Sequence, residues 1–116
     1  MNLSPAAIFK CLGDETRLRT LQLVLKEGEL CVCEIAAALD LSQPKVSRHI
    51  AQLRNCGILL DTRHGQWIYY QIHPQLESWV NEVLSITAKA NTGQLLDDQQ
   101  RLTQMGDRPE RQAICC

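Results

Sequence analysis

The apolar residues of this chain keep a helical period as far as Gly57, change to a strand-like composition between Ile58 and Ile72, and return to a helical period after Pro74. This double change restricts the fold more than any other feature, because apolar stripes of period 3.6 and of period 2 cannot exchange places. Ser4-Pro5 reads as an N-cap with proline in the first turn, followed by an apolar face of Ile8, Phe9 and Leu12. Gly13 ends that helix. Asp14 caps a second one bearing Leu18, Leu21, Val24 and Leu25, and Gly28 closes it. A short third helix is expected over about residues 32–39, with Ile35, Ala38 and Leu39 as its buried stripe. Ser42 caps a fourth, with Pro44 in its first turn, Val46, His49, Ile50 and Leu53 on one side, and Ser47, Arg48, Ala51 and Gln52 on the other.

Residues 58–62 and 66–72 are β-branched and aromatic and read as two strands joined by a basic tip, Arg63-His64-Gly65. Pro74 is expected to open a last helix with a broad apolar face of Leu76, Trp79, Val80, Val83 and Leu84. From about Asn91 the composition turns to Gln, Asp and Arg. The expected organisation is one DNA-binding and dimerisation domain over residues 1–90 and a flexible tail over 91–116 ending in Cys115-Cys116, with Leu95, Leu96 and Leu102 able to extend a helix into it. The fold class is mainly α with a β-hairpin (α+β): a dimeric winged helix-turn-helix of about five helices and a two-stranded wing.

That fold reads DNA. The major groove admits one α-helix, whose early side chains meet base edges, while the hairpin lies along the backbone or minor groove. The fourth helix offers Gln43, Ser47, Arg48 and Gln52 outward; Lys45, Arg63 and His64 add phosphate-contacting capacity. Net charge is −1, which alone argues against a nucleic-acid partner, but its distribution does not. Residues 42–73 carry four basic side chains against one acidic, whereas residues 1–41 and 74–116 each carry four against six. The positive charge therefore falls on the reader and its wing. His49 lies on the apolar side of its helix and reads as a hydrogen-bonded packing residue; Trp67, Tyr69 and Tyr70 read as wing packing.

Just ahead of the third helix stand Cys31 and Cys33. No apolar run approaches the ~20 residues that span a bilayer, and no signal segment opens the chain, so a cytoplasmic protein without a membrane partner is expected. Six cysteines in that compartment are expected to be reduced, and to serve metal or redox chemistry rather than a disulfide framework. Thiolates suit soft ions. Residues i and i+2 of a regular helix point about 200° apart, so Cys31 and Cys33 can converge only in a turn or an unwound helix start. A helix N-terminus is expected to lower the thiol pKa. Cys11 and Cys56 read as packing or incidental thiols.

Three segments in order, Asp14-Glu15-Thr16-Arg17-Leu18, Glu29-Leu30-Cys31-Val32-Cys33 and Ser42-Gln43-Pro44-Lys45-Val46-Ser47-Arg48-His49-Ile50, resemble the ArsR family of metalloid-responsive repressors, in particular its arsenic-responsive branch. The resemblance covers about residues 5–90. It implies a homodimer on a double-stranded, pseudo-palindromic operator, with no cofactor in the DNA-bound state, released by As(III) or Sb(III) as inducer. It implies metal ligation by Cys31 and Cys33, and dimer contacts through the first and last helices at Ile8, Phe9, Leu76, Trp79, Val80 and Val83. The arsenic branch often has a third cysteine three residues after the second; here that residue is Ala36. The site is then two-coordinate, or is completed by another cysteine, with Cys115 and Cys116 as the candidates. Two alternatives stay open: a cadmium-, lead- or zinc-responsive repressor of the same superfamily, and a thiol redox sensor. A zinc site on the last helix is disfavoured because residues 74–90 hold no histidine. No phosphate loop or nucleophile–base pair suggests an enzyme.

Overall fold

The structure, a computed structural model, describes residues 4–107 together with 110 and 111. Between residues 4 and 107, six helices and three strands follow in the order α1 (Pro5–Leu12), α2 (Glu15–Glu27), β1 (Glu29–Leu30), α3 (Val32–Leu39), α4 (Gln43–Asn55), β2 (Leu59–His64), β3 (Trp67–Ile72), α5 (Ser78–Ala90) and α6 (Thr92–Gln104). The architecture is a winged helix-turn-helix, as the change of period requires.

The helix starts are set by side-chain caps. Ser4 Oγ accepts from the Ala7 N–H, Asp14 Oδ1 from Arg17 and Ser42 Oγ from Lys45, each satisfying one donor that a helix start leaves unpaired. Gly28 ends α2 at φ 93°, a conformation that costs a side-chain-bearing residue. Asp40, at φ 56°, ends α3 and turns the chain into α4. The core gathers Leu21, Leu23, Leu30, Ile35, Leu53, Ile58, Leu84 and Leu102 from almost every element.

The sheet order is β1-β3-β2, antiparallel throughout, with Leu59 opposite Ile72 and His64 opposite Trp67. The wing is therefore three-stranded at its base. Residues 29–30 supply the extra strand, pairing Glu29 with Gln71 and Leu30 with Tyr70. Arg63 and His64, expected at the hairpin tip, belong to β2, and the turn is at Gly65 and Gln66.

Two further expectations are corrected. Pro74 does not open a helix: His73 Nδ1 accepts from the Gln75 N–H and the His73 carbonyl from Leu76, which makes a turn, and α5 starts only at Ser78. Residues 92–104, expected to belong to a flexible tail, form α6 with Leu95 and Leu102 buried. The physical reason is a buried charge. Asp98, 1% exposed, accepts from Arg19 at 2.7 Å and Arg101 at 2.6 Å, and these arginines also donate to the Leu39 and Ala38 carbonyls at the end of α3. The Asp98 carboxylate raises the already high pKa of Arg19 against the opposing effect of burial. No helix among the described residues is long and apolar enough to cross a membrane.

Candidate thiol sensor and nucleic-acid interface

The two faces expected of α4 are seen in its burial. Along α4, Val46, Ile50 and Leu53 are buried, while Gln43, Lys45, Ser47, Arg48 and Gln52 are exposed. Arg63 and His64 are exposed on β2; the His64 ring stands edge-on to Tyr69 with its Nε2 3.4 Å from Glu29. Tyr69 is buried, and Trp67 and Tyr70 are half-buried, consistent with wing packing.

Gln52 differs from its neighbours, because its amide oxygen accepts from Arg17 Nη1 at 2.6 Å. Arg17 also donates from Nε to the Cys11 carbonyl at 2.7 Å, and stands 3.4 Å from His49 Nδ1. His49 is half-buried between Arg17 and Asp14, the packing role expected of it. The Arg17 backbone N–H, aided by the His49 and Arg17 side chains, holds the Asp14 carboxyl below its ordinary range despite partial burial. Arg17 thus ties α4, through Gln52, to the end of α1.

The sensor pair falls at the start of α3. Cys31 is its N-cap, in extended conformation (φ −86°, ψ 167°), and Cys33 is the second residue of the helix. The pair thus sits at the helix start, where i and i+2 residues can approach. Glu34 completes a capping box: its Oε1 accepts from the Cys31 N–H at 2.9 Å, while the Cys31 sulfur faces the Glu34 N–H. The spacing of Cys31 and Glu34 was available in the sequence as a signal for this box. One cavity of 240 Å³ is lined by both cysteines, by Gln43 at the start of α4, and by Trp67 and Tyr70 of the wing. The pair therefore shares a cavity with the start of α4 and with the wing, and β1 pairs the residue before Cys31 with Tyr70 of β3.

The thiol pKa departs from expectation. Burial pushes the Cys31 thiol up, the nearby Glu34 carboxylate adds to this, and the Glu34 and Cys33 backbone N–H groups only partly offset it. The helix start does favour the thiolate, but desolvation outweighs it. Burial likewise raises the Tyr70 phenol, with Asp61 adding to the effect.

Cys31 is a free, buried cysteine, whereas Cys33 is disulfide-bonded in this structure. Among the described residues no group of three His, Cys, Asp or Glu side chains is arranged to hold a metal ion. Cys115 and Cys116 lie outside the described residues. Arg111 comes to the first turn of α3: its Nη1 donates to Glu34 Oε2 at 3.0 Å and its Nε to the Gly106 carbonyl at 2.7 Å. Nothing in the sequence pointed to Arg111. Cys11 and Cys56, expected to be reduced and incidental, are joined by a disulfide, because the last turn of α1 packs beside the C-cap of α4.

Of the residues proposed for a dimer interface, Ile8 and Val80 turn into the protomer's own core, 6% and 1% exposed. Leu76, Trp79 and Val83 are half-buried, and Phe9 is 53% exposed with its ring 5.8 Å from that of Trp79.

The comparisons with known proteins agree with this arrangement. The family model described as bacterial regulatory protein, arsR family, matches residues 14–59, from the cap of α2 to the first residue of the wing. The chain is 52% identical to the arsenic resistance transcriptional regulator ArsR1 of Pseudomonas putida over 113 residues, 97% of this chain and 88% of that one. It is 48% identical to the arsenical resistance operon repressor of Escherichia coli (strain K12) over 82 residues, 71% and 70% of the two chains. Among solved structures, the AntR antimony-specific transcriptional repressor superposes with a TM-score of 0.64 at 31% identity, over 76% of this chain and 77% of that one. The chain belongs to the arsR family of bacterial regulatory proteins, a family of DNA-binding transcriptional regulators and not of enzymes.

Proposed function

We propose that this chain is a cytoplasmic, metalloid-responsive transcriptional repressor: two copies hold a pseudo-palindromic operator and let go when trivalent arsenic or antimony binds cysteine sulfur. The relatives named for arsenic and antimony support the choice of inducer. The single observation that carries the coupling is the placement of Cys31 and Cys33 in one cavity with Gln43, Trp67 and Tyr70. In the reduced chain, a soft ion drawn to these sulfurs displaces the Cys31 cap and restrains the first turn of α3. That helix supports α4, and β1 is paired with the wing, so both parts of the reader shift together.

The donor set fits trivalent arsenic, which takes up to three thiolates. The third sulfur is proposed to come from Cys115 or Cys116. Support comes from Arg111 on Glu34, which brings the chain to the first turn of α3 four residues before Cys115. Four residues of chain reach up to about 14 Å.

The test is a fluorescence-anisotropy titration of the protein on a labelled duplex taken from upstream of its own gene. Arsenite is expected to release the wild type, while Cys31→Ser and Cys33→Ser bind the duplex normally and stay bound. Normal release of both variants by arsenite rejects the sensor.

A further inference from the structure

The joint between α1 and α4 holds a second pair of sulfurs, Cys11 and Cys56, that takes no part in the site at α3. Cys11 lies in the last turn of α1 and Cys56 is the C-cap of α4. Both are half-buried, and they form one wall of an open pocket of 420 Å³ shared with Lys10, Arg17 and Gln52. The cations of Lys10 and Arg17 line the same pocket. The pair is thus accessible to a small molecule, close enough to bond, and flanked by positive charge.

Its position gives the bond a consequence. Arg17 already ties α1 to α4 through the Cys11 carbonyl and Gln52. The disulfide adds a covalent tie across the same joint, between a helix of the proposed dimer face and the end of the recognition helix. In the cytoplasm, where small thiols keep most cysteines reduced, a disulfide is usually transient and used for sensing. We propose that Cys11 and Cys56 form a second, oxidant-reading site: a hydroperoxide closes the bond, and the closed joint lowers operator affinity independently of the metalloid.

The chemistry balances. The thiolate of one cysteine attacks the peroxide, an S–O bond forms as the O–O bond breaks, and the leaving oxygen takes a proton and departs as alcohol or water. The second sulfur attacks this sulfenic acid, the S–S bond forms as the S–O bond breaks, and hydroxide leaves with a proton as water. Two electrons pass from the two sulfurs to the peroxide. A small-molecule thiol restores the pair by exchange, two such thiols becoming one disulfide. In the closed state α4 cannot adjust against α1, and the two readers of a dimer cannot both settle on their half-sites.

The proposal rests on the operator binding proposed above but not on the metalloid site, and the experiment separates them. The full chain with Cys31, Cys33, Cys115 and Cys116 changed to serine keeps only Cys11 and Cys56. Hydrogen peroxide is expected to link them, seen as a mass lower by two hydrogens, and to weaken binding to the upstream duplex by about 5- to 150-fold. Dithiothreitol restores both, arsenite releases nothing, and adding Cys11→Ser abolishes the peroxide response. A bond that forms without changing affinity, or no bond at all, overturns the proposal. If the four-serine chain does not fold, peptide mapping and anisotropy on wild type and Cys56→Ser decide the same question: the peroxide-induced, dithiothreitol-reversible loss of binding must shrink in Cys56→Ser.

Discussion

At the scale of single residues, the raised pKa of Cys31 separates the two classes of inducer. Arsenous acid brings its own hydroxyl groups: each As–S bond that forms breaks an As–O bond, and the thiol proton leaves with the hydroxide as water. No net proton is released, so a thiol that burial keeps protonated is no obstacle. Cadmium has no hydroxide to give up, and each thiol it takes must lose its proton to solvent. The sign follows. Arsenite affinity, measured by isothermal titration on the full chain, is expected to stay flat between about pH 6 and pH 8, while cadmium affinity rises by about tenfold per pH unit for each thiol engaged. An arsenite affinity that climbs as steeply rejects Cys31 as a ligand in its protonated form. On the reader, Arg48→Ala is expected to weaken operator binding by roughly 1–3 kcal/mol if Arg48 meets a base edge. Arsenite affinity is expected to be unchanged, since Arg48 is exposed on α4 and does not line the cysteine cavity. The exposure of these α4 side chains was legible because the polar face of an amphipathic helix turns to solvent. The depth of Cys31 was not, because it depends on how β1, α4 and the wing close over it.

At the scale of elements, helix starts were readable and long-range ties were not. Ser4, Asp14, Ser42 and Gly28 act locally, so their neighbours in sequence suffice to place α1, α2 and α4. The segment that became α6 has few apolar residues, and Leu95 and Leu102 are held in the core with the help of Asp98 on Arg19, a pairing across 79 residues that periodicity cannot show. The Cys11–Cys56 bond spans 45 residues and was equally hidden. Breaking a buried ion pair from one side leaves an uncompensated charge. Asp98→Ala, which strands Arg19, is therefore expected to cost roughly 3–5 kcal/mol in urea unfolding, and a loss below about 1 kcal/mol refutes the anchoring role. Glu34 and Arg111 form the second tie. If it serves to bring the chain end to the sensor, Arg111→Ala and the pair Cys115→Ser with Cys116→Ser each weaken arsenite binding, and their combination weakens it no further. Fully additive losses place the two effects on separate paths.

At the scale of the molecule, one surface remains to be covered. Trp79, Val83 and Ile86 follow at i, i+4 and i+7 on α5, hence on one face. Ile86 is 66% exposed, and Phe9 of α1 stands beside Trp79. Large apolar side chains gathered on α1 and α5 are what a two-fold dimer would bury, and each protomer measures 40 × 32 × 22 Å. Two such protomers can present their readers to half-sites one helical turn, about 34 Å, apart or a multiple of it. A charge at the centre of that face must either stay in water or be buried unpaired. Ile86→Glu is therefore expected to give a monomer by sedimentation and to abolish binding to the full operator. Its arsenite affinity then tells which chain supplies the third sulfur. Arg111 reaches Glu34 within a single protomer, so a monomer is expected to bind arsenite as tightly as the dimer does. If the third thiol crosses the interface, affinity falls when dimerisation is lost and returns when a dimer is enforced by covalent linkage of two chains.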